Sequence, residues 1–171
     1  MASLITEDVR AKASELYRGN DECMTQARRL FNEVGFPNGL LPLRDVEECG
    51  YVEETGFVWL IQKQQIEHTF EKIDKTVRYA PEVTAHVEPG KITNLTGVQA
   101  KEIIIWVTIN EITLGTPESK TLVFKNNATG VKKIFPIDAF VVEVKEPAQV
   151  QEEKKEVDAT VDAKTVEVKE V

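Results

Sequence analysis

At 171 residues the chain is long enough for one domain of ordinary size, which would bury roughly two-thirds of the surface its unfolded form exposes. Its net charge of −8 argues against a nucleic-acid binder and against an anionic membrane surface, because phosphate neutralisation needs clustered Lys and Arg. The only adjacent arginines, Arg28 and Arg29, lie in a segment of mixed charge. No run of about 18 apolar residues is present to span a bilayer. The start, MASLITEDVR, places acidic residues where a targeting peptide would carry basic ones and an apolar block. With Ala at position 2 and Glu170-Val171 at the end, lipidation is not signalled. A cytoplasmic location is expected, with Cys23 and Cys49 as reduced thiols. The glycosylation patterns Asn94-Leu95-Thr96 and Asn127-Ala128-Thr129 would then stay unmodified.

In chain order, residues 1–34 form an N-terminal helical segment. Val9, Ala13, Leu16 and Tyr17, then Met24, Ala27, Leu30, Phe31 and Val34, recur at three- and four-residue spacings. Thr6 is the expected N-cap, with Glu7 and Asp8 in the positive first turn. Gly19-Asn20-Asp21 should interrupt the helix, Gly19 closing the first part and Asp21 capping the second. Gly35 ends that second helix and Pro37 prevents its resumption. The apolar stripe predicts helices lying on a sheet.

Residues 35–145 read as β structure. Gly39-Leu40-Leu41-Pro42 is an ordered connection, followed by short strands around 46–52, 56–63, 65–73, 75–79, 82–88 and 91–94. Thr55-Gly56 suits a hairpin turn, and Glu88-Pro89-Gly90-Lys91 has Pro then Gly at the centre of a type II turn. Within Asn94–Leu114, the consecutive residues Ile103, Ile104, Ile105, Trp106 and Val107 are apolar on both faces, which predicts a central strand covered on both sides. Ile103, Ile105, Val107 and Ile109 occupy odd positions, whereas Ile112 and Leu114 are even, so a bulge or bend is required near Asn110. Thr116-Pro117-Glu118-Ser119 and Asn126–Gly130 mark loops before strands near 121–125 and 131–135, and Phe140, Val142 and Val144 form a last apolar face. The fold class is mainly β with helices packed on it, an antiparallel roll or barrel-like sandwich of about 8 to 11 short strands. From residue 146 to 171 the composition changes to eight acidic and four basic side chains with no aromatic residue, which predicts a disordered acidic tail.

Catalytic constellations are scarce. None of Ser3, Ser14 and Ser119 lies in a nucleophile-elbow pattern, and there is no Gly-rich phosphate loop. His68 and His86 match no common zinc spacing, and Cys23 and Cys49 are too far apart for one, so no metal and no cofactor is expected. His68 shares the face of Ile66 and Phe70 and reads as a core-edge residue, while His86 points to solvent with Thr84 and Glu88. Glu47 and Glu48 would raise the pKa of the Cys49 thiol. The aromatic residues on predicted strands are more suggestive, because a sheet of this size can retain an apolar cavity. Trp59, Tyr79 and Trp106 are the candidate apolar-ligand contacts.

Several segments carry a family resemblance: Gly35-Phe36-Pro37-Asn38-Gly39-Leu40-Leu41-Pro42, Thr55-Gly56-Phe57, Val77-Arg78-Tyr79, Gly90-Lys91-Ile92, Leu95-Thr96-Gly97-Val98-Gln99-Ala100-Lys101, Trp106 and Phe135-Pro136. Over roughly residues 35–145 the chain resembles the plant domain-of-unknown-function 538 family. The resemblance implies a plant protein with a mainly β, roll-like domain and no agreed catalytic residues. It also brings an association with stress responses, a proposed likeness to lipid-binding bactericidal/permeability-increasing proteins, and suggested binding of apolar pigments or hydrolysis. The chain lacks the signal peptide and the cysteines of secreted members, in keeping with a reduced intracellular form. The expected function is a non-enzymatic monomeric module for an apolar or lipid-like small molecule. The alternatives are a protein-interaction module using a sheet edge or the acidic tail, and a weak hydrolase at His68 or Cys49.

Overall fold

The computed structural model describes residues 3–141. Val142 and Val144 of the last apolar face, and the acidic stretch 146–171, lie outside the described residues. At the N-terminus the hydroxyl of Thr6 accepts from the Val9 N–H at 3.2 Å and starts α1 (Glu7–Lys12). The helix stops there. Residues 15–18 form strand β1 (Glu15–Arg18), paired antiparallel with β2 (Val46–Val52), and the Ser14 N–H donates to Tyr51 O at 2.8 Å. The predicted continuous helical spacing was deceptive for a physical reason. Val9, Ala13 and Leu16 do face one apolar cluster, but they reach it from a helix followed by a strand.

Helix α2 (Asn20–Glu33) is capped by Gly19 at φ 94°, not by Asp21. The Asn20 side chain instead accepts from the Val46 N–H at 3.0 Å, tying the helix start to β2. At the other end Gly35, also at φ 94°, closes the helix. Its N–H donates to Asn32 O, and the Phe36 N–H donates to Phe31 O at 2.8 Å, the paired reverse bonds of a glycine C-terminal motif.

The remaining strands are β3 (Phe57–Gln62), β4 (Ile66–Phe70), β5 (Lys75–Glu88), β6 (Lys91–Glu102), β7 (Ile105–Thr108), β8 (Glu111–Leu114), β9 (Thr121–Lys125) and β10 (Lys132–Pro136), followed by a 3-10 turn, Ile137–Phe140. All ten belong to one antiparallel sheet in the order β1-β2-β3-β5-β6-β8-β9-β10. Its spine is the β5–β6 hairpin, joined by the Glu88–Lys91 turn with Gly90 at φ 74°. Both spine strands fork. The first half of β5 pairs with β4 and the second with β3, while β6 pairs with β8 near its start and β7 near its end.

Pro81, which has no N–H to donate, stands where β5 passes from one partner to the other. Opposite this bend, β6 makes room with Gly97 at φ 82°; a Cβ there would lie 2.3 Å from Glu82 O. The fork also strands backbone carbonyls, and Gln62 satisfies them. Its side chain is 2 % exposed, donates to Tyr79 O and Ala80 O at 3.1 and 3.0 Å, and accepts from the Arg44 N–H at 3.3 Å.

The sheet separates two apolar clusters. Cys49, Leu60, Tyr79, Val83 and Leu122 lie with Met24 and Phe31 of α2 in the main core. On the reverse face Val52, Phe57 and Trp59 pack with Ile5. Residues as distant as β2, β9 and the terminal 3-10 turn share the main core, so the sheet wraps around it, with α2 packed on β1 and β2. Along β6 the inward residues Ile92, Leu95 and Val98 are three apart, because Asn94 (φ 51°) and Gly97 each take a left-handed step.

The predicted central strand is overturned. Glu102 pairs with Ile105, so Ile103-Ile104 is a two-residue hairpin tip and β7 is a short outer strand. Ile103 and Ile104 are 91 % and 86 % exposed. The run lacks Gly, Asn or Pro punctuation; Ile103 itself adopts the positive φ, 58°, that such turns reserve for Gly or Asn. The change of phase at Asn110 is present. β7 ends at Thr108, β8 begins at Glu111, and Ile109 and Ile112 both face the core.

Candidate functional site

Between α2 and the inner face of the sheet lies an apolar cavity of about 110 Å³. Ala27, Leu30 and Phe31 of α2 form one end, and Tyr79, Val98 and Ala100 line the sheet side. This is close to the roughly 150 Å³ of an engineered cavity that takes benzene. It falls below the roughly 300–1,000 Å³ of drug-sized pockets. That volume matches a short aliphatic chain or a single aromatic ring better than a sterol or a macrocyclic pigment.

The cavity ends are polar. Beside α2, Arg29 bonds Glu15 at 2.5 Å, and the Tyr17 hydroxyl donates to the same carboxylate at 2.8 Å. At the opposite rim Glu102 is held between Lys75 at 2.7 Å and Lys133 at 3.4 Å. The Lys75 hydrogen bond, reinforced by the charges of both lysines, holds the Glu102 carboxyl below its ordinary range against a smaller opposing effect of burial. Val98, Ala100 and Glu102 alternate along β6, so this carboxylate continues the face that lines the cavity.

The three aromatic candidates are placed differently. Tyr79 lines the cavity, and its buried hydroxyl donates to Leu40 O at 3.0 Å, while burial pushes its pKa up. Trp59 borders the cavity, but its ring lies across Gly50 in the second cluster. Trp106 is on the outer face, with the Arg78 guanidinium 4.1 Å from its ring centre. That guanidinium also gives two hydrogen bonds to the Gln99 side-chain oxygen, and both residues border a shallow polar recess of about 230 Å³. The recess is larger than the cavity, but it is less apolar, and Arg78 and Gln99 within it already bond one another.

Neither predicted hydrolytic residue gains support from its surroundings. Cys49 is a buried free thiol whose pKa is raised first by burial and then by Cys23. Cys23 is likewise buried, and burial raises its thiol. His68 sits edge-on to Phe70, ring centres 4.7 Å apart, and burial disfavours its protonated form. His86 packs against Phe57 and lies 3.3 Å from the Asn94 amide nitrogen. Among the described residues no group of three His, Cys, Asp or Glu could hold a metal ion, and no helix is long and apolar enough to cross a membrane.

Sequence reasoning missed Glu48. Its carboxylate is almost buried beneath α1, accepting from Arg10 Nε and Trp59 Nε1, each at 2.9 Å, with Arg18 at 3.3 Å. No signal in the chain separates it from its neighbour: Glu47 and Glu48 are adjacent on β2, and the register shift between Val46 and Glu48 leaves the first exposed and buries the second. Burial alone would raise its pKa, but the bonds from Arg10 and Trp59, with the two arginine charges, outweigh it and leave the pKa below the ordinary 4.5. The folded-state value is therefore below the unfolded one. The stabilisation is complete above about pH 4.5 and is lost as pH falls through the folded value. Glu48→Gln should lower stability by about 1–2 kcal/mol at pH 7, since Arg18 is well exposed and contributes little. Urea midpoints of the two proteins should converge on acidification, and a constant gap from pH 7 to pH 3 would contradict this account.

The rim residues Lys75, Glu102 and Lys133 also went unseen, because they come together from three separate strands. Comparisons with curated proteins and with solved structures find no match. A family model described as "protein of unknown function, DUF538" matches residues 27–141, a span that contains α2 from Ala27, both forks and the Lys75–Glu102–Lys133 cluster. With that span covering well over half its length, the chain belongs to the DUF538 family.

Proposed function

We propose that the protein is a non-enzymatic binding module for a slim apolar or lipid-like small molecule, acting as a cytoplasmic monomer. The observation that carries this reading is the cavity itself, apolar along its length and bounded by the Lys75–Glu102–Lys133 cluster at its rim. Cavities lined by apolar groups stay dry and accept apolar guests, whereas a polar rim fixes the orientation of an amphiphile. Two buried thiols suit a reducing compartment.

The test is calorimetric titration with octanoate and with a sterol. Octanoate should bind saturably and the sterol should not. Ala100 is half-buried and lines the cavity, so Ala100→Phe should fill it and weaken octanoate binding by at least about tenfold, near 1.4 kcal/mol. The melting temperature of this variant should be nearly unchanged, because the new ring occupies existing space. Absence of saturable binding by wild-type protein, or equal binding by a folded Ala100→Phe variant, sinks the reading.

A further inference from the structure

We propose that the β6–β7 hairpin tip, Ile103-Ile104-Ile105, docks into the interface of an anionic lipid bilayer and holds the cavity rim against it. The role of the rim in this proposal rests on the apolar-ligand reading; the docking itself rests on the tip.

The three isoleucines are 91, 86 and 58 % exposed and consecutive, so they form a protrusion rather than scattered apolar surface. A two-residue hairpin turn is easiest with Gly or Asn, yet Ile103 holds φ 58°, a costly conformation for a β-branched side chain. Local strain combined with exposed apolar surface is what a contact with something outside the domain would explain.

The surroundings favour a bilayer over a protein. Trp106, the residue type enriched at membrane interfaces, follows the tip directly on the outer face. Arg78 lies on its ring, and Lys101 pairs across from it. Lys75 and Lys133 stand at the rim. The tip is thus backed by four cations, with Glu102, already bonded to two of them, as the carboxylate on the same hairpin. Apolar residues at a point with Lys and Arg just behind match acyl chains beneath anionic headgroups. Residues 146–171 supply half of the net charge of −8, with eight acidic against four basic side chains, and the cations at the tip are a local patch on a chain that is acidic elsewhere.

The tip also adjoins the cavity. Ile105 pairs with Glu102, so it shares the face that lines the interior, and an apolar molecule leaving the bilayer at the tip meets the rim first.

The test uses the full chain in sedimentation with vesicles of phosphatidylcholine alone and of phosphatidylcholine mixed with phosphatidylserine. Wild-type protein should bind the mixed vesicles more strongly, and added salt should weaken that preference. Ile103→Gly with Ile104→Asn suits a turn whose first central residue alone has positive φ, so the variant should stay folded while vesicle binding falls at least about tenfold. Its octanoate binding from solution should be unchanged. Vesicle binding retained by the double variant, or absent from wild type, overturns the proposal. It is equally overturned if wild type forms a dimer that the double variant lacks, since the tip would then be a self-contact. Tip-dependent vesicle binding without octanoate binding would instead remove the cavity reading and leave the docking intact.

Discussion

Gly97→Ala should destabilise the domain by about 3 kcal/mol or more, read as a lowered urea midpoint with an unchanged slope. Two costs act together. The new Cβ would lie 2.3 Å from Glu82 O and 3.3 Å from Val83 Cα, contacts that only backbone movement can relieve. At φ 82° an L side chain is also strained. Each cost is about 1–3 kcal/mol. The contact is with the bend of β5 beside Pro81, so relief by shifting β6 would disturb the whole spine. Gly130→Ala provides the control, since its φ of 74° is similar but a Cβ there would meet nothing within 4 Å. It should cost only the conformational part, about 1 kcal/mol. Equal losses at the two glycines would show that close approach at Gly97 is not decisive.

Gln62→Leu should cost about 2–4 kcal/mol, because it preserves bulk while removing every polar partner at the fork. Tyr79 O, Ala80 O and the Arg44 N–H would lose their bonds to this side chain in a site where Gln62 itself is 2 % exposed. An unmet buried donor or acceptor costs about 1–3 kcal/mol. Gln62→Glu separates shape from donation. It retains an acceptor for Arg44 but faces two carbonyls with a carboxylate, so it should be at least as damaging near neutral pH and less so in acid, where the protonated group can donate. A Gln62→Leu protein with wild-type midpoint would mean that the fork carbonyls find other partners.

Much of the β framework was legible because local chemistry and tertiary context agreed. The strand predicted at 46–52 is β2, the Glu88–Lys91 turn is present with its glycine at positive φ, and Thr6 and Gly35 bound their helices as expected. Agreement failed where context overrode pattern. Leu16 and Tyr17 continued the helical spacing of Val9 and Ala13, yet they belong to a four-residue strand too short to announce itself by alternation. The isoleucine run satisfied every local criterion for a buried strand. What excluded it was a chain reversal with no turn residue to announce it: β6 extends through Glu102, and β7 folds directly back on it.

The site was less readable than the fold for a related reason. Tyr79 stood out as an aromatic on a strand and lies at the cavity, while Trp106, selected by the same logic, faces outward with Arg78. Alternation fixes which residues share a face but not which face is inside, and the left-handed steps at Asn94 and Gly97 reset that phase twice along one strand. Glu102 shows the limit well. Its position in step with Val98 and Ala100 could be read from the chain, but its two lysine partners are 27 and 31 residues away on other strands.

The forks of the spine bear on aggregation. A simple ribbon of strands has two outer edges, whereas among the described residues this sheet has four outer strands, β1, β4, β7 and β10, each a template on which another chain could add. All four are four or five residues long, while the 14- and 12-residue β5 and β6 lie inside. β10 adds Lys132, Lys133 and a terminal Pro136, features that oppose strand addition. The architecture therefore confines its long hydrogen-bonding surfaces to the interior, and only brief, poorly templating edges meet solvent.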